Sequence, residues 1–125
     1  MTALYGGLLA VLQFGLSMYV VAGRWGWRIA LGDGGNKAME MRVRVHGNFV
    51  EYVPMTLVLL AVNEIAGLPS WFLHAVGAGL LLGRVAHAFG LGRVRSVSVG
   101  RFAGMTLTYA ALLAAAGGAL WVASR

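Results

Sequence analysis

Long uncharged stretches alternate with short polar segments along this chain. Residues 2–23, 65–83 and 102–124 contain no charged side chain, and each is close to the roughly 20 residues that a helix needs to cross a bilayer. A further stretch, from about Ala38 to Ala66, has charges in its first half and is uncharged only from Tyr52 to Asn63. We therefore predict a single transmembrane domain over residues 1–125 with helical spans at about 2–23, 38–66, 70–90 and 101–124.

The connections between these spans indicate their direction across the membrane. Alternation places the first and third connections, near residues 24–37 and 91–100, on one side. All of the ten Lys and Arg residues except Arg125 lie in these two connections or at the helix ends beside them, and positively charged connections face the cytoplasm. The predicted fold is an all-α membrane protein, an antiparallel bundle of four transmembrane helices.

Composition agrees with this assignment and excludes other classes. Hydrophobic side chains make up 59% of the chain and charged ones only 11%, compared with about 25% charge in soluble domains. The formal charge of +6 is spread over separated residues rather than concentrated in a stripe, which argues against nucleic acid binding. Because the chain has no cysteine, it can form no disulfide, thiolate metal site or cysteine nucleophile. Any sulfur chemistry must therefore come from a ligand.

The second span carries a row of polar residues that is unusual inside a membrane. Arg44, Asn48 and Glu51 are spaced i, i+4 and i+7, which places them on one helix face with Tyr52 beside them. Glu51 lies about 16 Å from residue 40 along the helix axis, near the bilayer centre, where a charge costs about 2.5–3.5 kcal/mol. Glu51 therefore needs a partner on another helix, on another subunit or on a ligand. The alternative is a purely structural network between helices.

Further polar groups are expected at the same end of the bundle. Pro54 removes a backbone hydrogen bond three residues after Glu51, which predicts a polar break in the helix. Arg84 and His87 stand one turn apart near the inner end of the third span, either as ligands or as interfacial residues. We expect Arg42, Arg93 and Arg95 to snorkel to the interface or to face lipid headgroups, and we expect structural roles for His46 and His74.

Such a pocket suits a zwitterionic ligand with a net negative charge. Glutathione fits this description, because arginines pair with carboxylates through charge-assisted hydrogen bonds and Glu51 can meet the ammonium group. Glutathione would also supply the sulfur that the chain lacks. A guanidinium close to its thiol favours the thiolate, which is the nucleophile.

Two motifs in these spans resemble those of a known family. The run Arg44-x-x-x-Asn48-x-x-Glu51-Tyr52-x-Pro54 in the second span and Arg84-Val85-Ala86-His87 in the third resemble the MAPEG family, the membrane-associated proteins of eicosanoid and glutathione metabolism. The resemblance covers almost the whole chain. The chain is most similar to the short bacterial members of the family. It shares with them the segments Gly32-Asp33-Gly34-Gly35, Arg44-Val45-His46-Gly47-Asn48 and Arg101-x-x-Gly104-Met105.

The resemblance implies a homotrimer of the bacterial inner membrane, with glutathione as cosubstrate between neighbouring subunits at the cytoplasmic side. It assigns glutathione binding to Arg28, Arg44, Asn48, Glu51, Tyr52, Arg84 and His87. It makes Arg101 the candidate for stabilising the thiolate, with Arg95 as the competing choice, and it requires no metal. Phe89 and Leu91 stand where some members carry tyrosine, which argues against eicosanoid synthesis.

The expected activity is that of a glutathione transferase and peroxidase that detoxifies hydrophobic electrophiles or lipid hydroperoxides entering from the membrane. Two other functions stay open. A non-catalytic family member would bind glutathione or lipid as a membrane scaffold. A small multidrug exporter has a similar size, but such proteins use a carboxylate in the first span, and residues 2–23 contain no acid.

Overall fold

The structure, a computed structural model, describes residues 1–90 and 99–125, and these residues form long helices without any strand. The helices are α1 (Thr2–Trp27), α2 (Lys37–Ile65), α3 (Ser70–Phe89) and α4 (Val99–Ala123). Each is long and apolar enough to cross a membrane. The predicted all-α bundle of four membrane-spanning helices is therefore confirmed.

Both α2 and α3 contact the other three helices, and the most extensive contact is the one between α3 and α4. The core between them contains fully buried apolar side chains, among them Leu9, Leu60 and Leu80. Large apolar side chains also cover the outside, and Val11 and Leu113 are more than 70% exposed. Such a surface suits lipid rather than water.

A close contact between α3 and α4 depends on glycine in both helices. A Cβ atom at Gly104 would lie 2.6 Å from the carbonyl oxygen of Gly83 and 2.7 Å from the backbone nitrogen of His87. In the other direction, a Cβ atom at Gly83 would lie 2.9 Å from the carbonyl oxygen of Gly104. The absence of side chains lets the two backbones touch, which brings His87 against α4.

The inner end of the bundle, where α1 and α3 end and α2 and α4 begin, is closed by side chains that bind backbone groups. Arg24 Nη1 donates to the carbonyl oxygens of Ala30 at 3.1 Å and Gly32 at 3.3 Å. Asn36 Oδ1 accepts from the backbone nitrogens of Ala38 and Met39 and so caps α2. The helix α1 continues to Trp27, beyond the predicted end of the span at residue 23.

At the opposite, outer end, α2 is tied to its neighbours by two consecutive polar residues. The carboxylate of Glu64 accepts from the backbone nitrogen of Thr2 at 2.7 Å and forms an ion pair with the amino group of Met1. Asn63 Nδ2 donates to the carbonyl oxygen of Ala115 at 2.9 Å. These contacts join α2 to the start of α1 and to α4, and the sequence analysis did not single them out.

The helix α2 is continuous through Pro54, so the predicted polar break does not interrupt the helix and is confined to the missing backbone donor. Proline removes one backbone donor, whereas the surrounding turns are held by packing and by side-chain contacts. Val53 and Thr56 are buried, and Thr56 Oγ1 donates to the carbonyl oxygen of Tyr52 at 2.8 Å.

Candidate functional site

A cleft of about 370 Å³ opens between α2, α3 and α4 in the inner half of the bundle. Its polar side chains come from all three helices and are Arg44, Asn48, Glu51, His87 and Arg101. The remaining wall is formed by Met41, Val43, Val45 and Gly47 of α2. The cleft thus joins the polar row of α2 to one residue each from α3 and α4.

A second cavity of about 330 Å³ adjoins the cleft and shares Asn48, His87 and Arg101 with it. We call these three residues the junction. The second cavity adds Phe102 and Met105, so its wall is more apolar than that of the cleft. The junction therefore lies between the cleft, which we call the polar compartment because it adds Arg44 and Glu51, and the second cavity, whose other lining residues are apolar.

The polar row of α2 lies where its spacing predicts. Arg44, Asn48 and Glu51 all line the cleft, which confirms that they share one helix face. Tyr52 turns toward α4 instead, and its hydroxyl oxygen lies 3.2 Å from that of Tyr109 with the rings edge to face. Tyr52 therefore lies in the contact between α2 and α4 and does not line the cleft.

A matching row on α4 was missed by sequence reasoning, although its spacing gave a signal. Arg101, Met105 and Tyr109 are spaced i, i+4 and i+8 and so lie on one face of α4. The first two line the second cavity, and the third contacts Tyr52. The rows of α2 and α4 face each other along one seam, which the isolated periodicity of either helix does not reveal.

Arg84 of α3 lies behind the cleft wall. Its side chain is only 2% exposed, and Nη1 donates to Oδ1 of Asn48 at 2.7 Å. Nη2 contacts the sulfur of Met105 at 3.3 Å. The structure therefore places Arg84 beneath Asn48, whereas its predicted role is that of a direct ligand.

The charge of Arg84 has no counterpart inside the chain. All of the Asp and Glu residues belong to the ranges that the structure describes, and their ion pairs there join Met1 to Glu64 and Arg44 to Glu40. Glu51 makes neither a hydrogen bond nor an ion pair with any described residue. Buried charges are normally paired, so this region is suited to an anion from outside the chain.

The neighbouring arginines of α2 point in different directions. Arg44 is largely exposed at the rim of the cleft, where its Nε donates to Glu40 at 3.2 Å. Arg42 packs against α1. Its Nη1 donates to the carbonyl oxygen of Tyr19 at 2.6 Å, and its guanidinium lies over the rings of Tyr19 and Trp27. Residues two apart on a helix point to different faces, which explains the difference.

Arg28 is not brought to the cleft within one chain. It ends α1 in a left-handed conformation with φ 54° and lines a separate recess with Arg24 and Trp25. Its predicted glutathione contact stays a prediction. The competing candidate Arg95, together with Arg93, lies outside the described residues.

The other histidines bind neighbouring helices, in keeping with structural roles. His46 Nε2 lies 3.0 Å from the hydroxyl oxygen of Ser17, and His74 Nδ1 lies 2.9 Å from that of Tyr5. Over residues 1–90 and 99–125, no three His, Asp or Glu side chains come together as metal ligands would.

Residues 2–121 of the chain, which include all of the helices described above except the end of α4, match the model of the MAPEG family. The chain belongs to the MAPEG family. This MAPEG chain is also 38% identical over 120 residues to the inner membrane protein YecN of Escherichia coli strain K12, with 96% of the chain and 90% of the relative covered. The YecN protein of Escherichia coli O6:H1 gives the same identity and coverage. The MAPEG chain is thus a multi-pass integral membrane protein of a family of glutathione and eicosanoid metabolism.

Proposed function

We propose that this MAPEG protein binds glutathione in the cleft and uses its thiolate to attack hydrophobic electrophiles or lipid hydroperoxides. The supporting observation is the imbalance of charge at the cleft. Arg84 lies buried behind the cleft wall without an intramolecular anion, while Arg101 and Glu51 both line the cleft. A ligand with two carboxylates and one ammonium group complements this arrangement.

The polar compartment supplies partners for the ammonium group and for one carboxylate of glutathione. The guanidinium of Arg44 at the rim can bind a carboxylate in a bidentate manner. Glu51, which has no intramolecular partner among the described residues, can bind the ammonium group. Binding would therefore neutralise Glu51, and it would give Arg44 a second carboxylate partner besides Glu40.

The junction supplies the conditions for thiolate chemistry. Arg101 lines both the polar cleft and the apolar cavity, so its guanidinium can stabilise a thiolate where the two compartments meet. In conjugation, the sulfur forms a bond to carbon, the leaving group departs with the electron pair, and the thiol proton passes to water.

Reduction of a hydroperoxide would use the same thiolate. The sulfur attacks the terminal oxygen of the hydroperoxide and the O–O bond breaks. The alkoxide that leaves takes up a proton and becomes the alcohol. The resulting glutathione sulfenic acid reacts with a second glutathione to give the disulfide and water. Phe102 and Met105 form the apolar wall against which a lipid chain would lie.

A homotrimer belongs to the same proposal. Arg28 is exposed and lines a recess separate from the cleft of its own chain. A neighbouring subunit would bring this guanidinium to the site and so complete the set of carboxylate partners. Chemical cross-linking of the protein in native membranes should yield a trimer.

The decisive experiment measures turnover by the purified protein in detergent. We expect glutathione-dependent conjugation of 1-chloro-2,4-dinitrobenzene or reduction of cumene hydroperoxide. Arg101→Ala should lower kcat by about a hundredfold, the scale of loss when one donor to a developing negative charge is removed. The dissociation constant of glutathione, measured by calorimetry, should change much less.

Arg125→Ala is the matched control, because Arg125 stacks on Trp121 at the outer end of the chain and should leave turnover unchanged. Glutathione binding without turnover would contradict the transferase and favour the membrane scaffold. Proton-driven drug efflux that depends on Glu51, with no glutathione binding, would favour the exporter.

A further inference from the structure

We infer that Arg84 is a positioning residue, which fixes the side-chain amide of Asn48 so that its NH₂ group faces the ligand. The inference rests on the proposed function, in which glutathione occupies the cleft. Arg84 would then act on glutathione through Asn48 rather than by touching it.

The orientation of Asn48 follows from the chemistry of its neighbour. A guanidinium has only hydrogen-bond donors, so the amide atom 2.7 Å from Arg84 Nη1 must be the oxygen. The NH₂ group of Asn48 therefore points away from Arg84. Because Asn48 lines both the cleft and the second cavity, this group is presented at the junction.

The fixed amide makes the junction a place for negative charge. Asn48 contributes two N–H donors there, and Arg101 contributes a guanidinium. With the amide turned by 180°, Asn48 would present an acceptor that repels an anion. Arg84 thus determines whether Asn48 binds or repels an anionic atom of the ligand.

Two observations separate this role from the alternatives. Arg84 is 2% exposed and lines neither cavity, which argues against direct contact with the ligand. A purely structural tie between α3 and α2 would cost less with a neutral side chain, since burying a guanidinium without a carboxylate is unfavourable. The Nε atom of Arg84 has no hydrogen-bond partner among the described residues. A buried donor without a partner lowers the stability of the fold, so stability alone does not explain this arginine.

The test uses the full-length protein in detergent and a double-mutant cycle. Arg84→Lys keeps the charge but loses the two fixed donors Nη1 and Nη2, which contact Asn48 and Met105 respectively. We expect Arg84→Lys to weaken glutathione binding about tenfold by calorimetry, the scale of one hydrogen bond to a charged group. In an Asn48→Ala background, the same substitution should change binding by less than about twofold.

The matched control is Arg42→Lys. Arg42 is a partly buried arginine on the far face of α2, and the control should bind glutathione as the wild type does. If Arg84→Lys caused equal losses in the wild-type and Asn48→Ala backgrounds, the inference would be overturned, because Arg84 would then act without Asn48.

A second readout is independent of glutathione. The side-chain amide signal of Asn48, observed by NMR without ligand, should shift in Arg84→Lys and stay unchanged in Arg42→Lys. A wild type that fails to bind glutathione while the amide signal still depends on Arg84 would reject the proposed function and keep the positioning role. An Asn48 amide signal that does not change in Arg84→Lys would reject the positioning role, whether or not the protein binds glutathione.

Discussion

The two ends of this bundle use polar residues in opposite ways. At the outer end, Glu64 binds the start of α1 and Asn63 donates to a carbonyl of α4. At the inner end, Glu51 has no intramolecular partner in the described chain and Arg84 has no anion. The two acids belong to one helix, yet one joins helices and the other faces a cavity.

This difference distinguishes polar residues that hold the helices together from polar residues that are available to a ligand. Intramembrane polar groups are costly and are kept where they are paired or where they serve a ligand. Glu64 satisfies its oxygens within the chain, so its role is complete without a partner molecule. The inner residues leave charge uncompensated, and this makes the inner half the candidate binding site.

The largest expected effect is on glutathione binding, and it comes from substituting Glu51, the acid at the inner end. Glu51→Gln should weaken glutathione binding by about ten- to hundredfold, because the ammonium group loses a charge-assisted hydrogen bond. Its thermal midpoint should stay near that of the wild type. Calorimetry and a thermal melt in the same detergent check both statements, and unchanged affinity would show that Glu51 does not bind the ammonium group.

The next effect concerns the contact that supports the inner half. Gly104→Ala introduces a Cβ atom against the backbones of Gly83 and His87, which should destabilise the bundle by about 1–3 kcal/mol. Displacement of His87 should also lower affinity for glutathione. Gly117→Ala is the control, since a Cβ atom there meets nothing within 4 Å, and comparable stability losses in both variants would contradict the close contact.

A smaller effect is expected from the acid at the outer end. Glu64→Gln removes the negative charge that caps the start of α1 and should lower the thermal midpoint by about 2–4 °C. Glutathione affinity should remain that of the wild type, the reverse of the result expected for Glu51→Gln. A loss of affinity in Glu64→Gln would remove the distinction between the two ends.

The smallest effect lies at the boundary between the two halves. Tyr109→Phe removes a hydroxyl whose hydrogen-bond partner in the described part of the chain is the hydroxyl of Tyr52, while the edge-to-face ring contact remains. We expect glutathione affinity to change by less than about twofold, since a neutral hydrogen bond at an exposed site contributes little. A tenfold loss would extend the site to this tyrosine pair.

Part of the site was predictable because it depends on one helix at a time. The spacing of Arg44, Asn48 and Glu51 gave their common face, which the cleft confirms. The burial of Arg84 beneath Asn48 was not predictable in this way, since it depends on how α3 is rotated against α2. The same holds for Arg42, whose contact with Tyr19 requires the position of α1.

The linear order of apolar and charged residues alone determined the number of spans, their antiparallel course and the polar face of α2. These properties follow from hydrophobic length and from the 3.6-residue turn, which are local. Packing decided which polar groups are paired within the chain, as at Glu64, and which face a cavity, as at Glu51. Pairing depends on the rotation and approach of helices, and these are set by contacts such as Gly83 with Gly104 between residues distant in the chain.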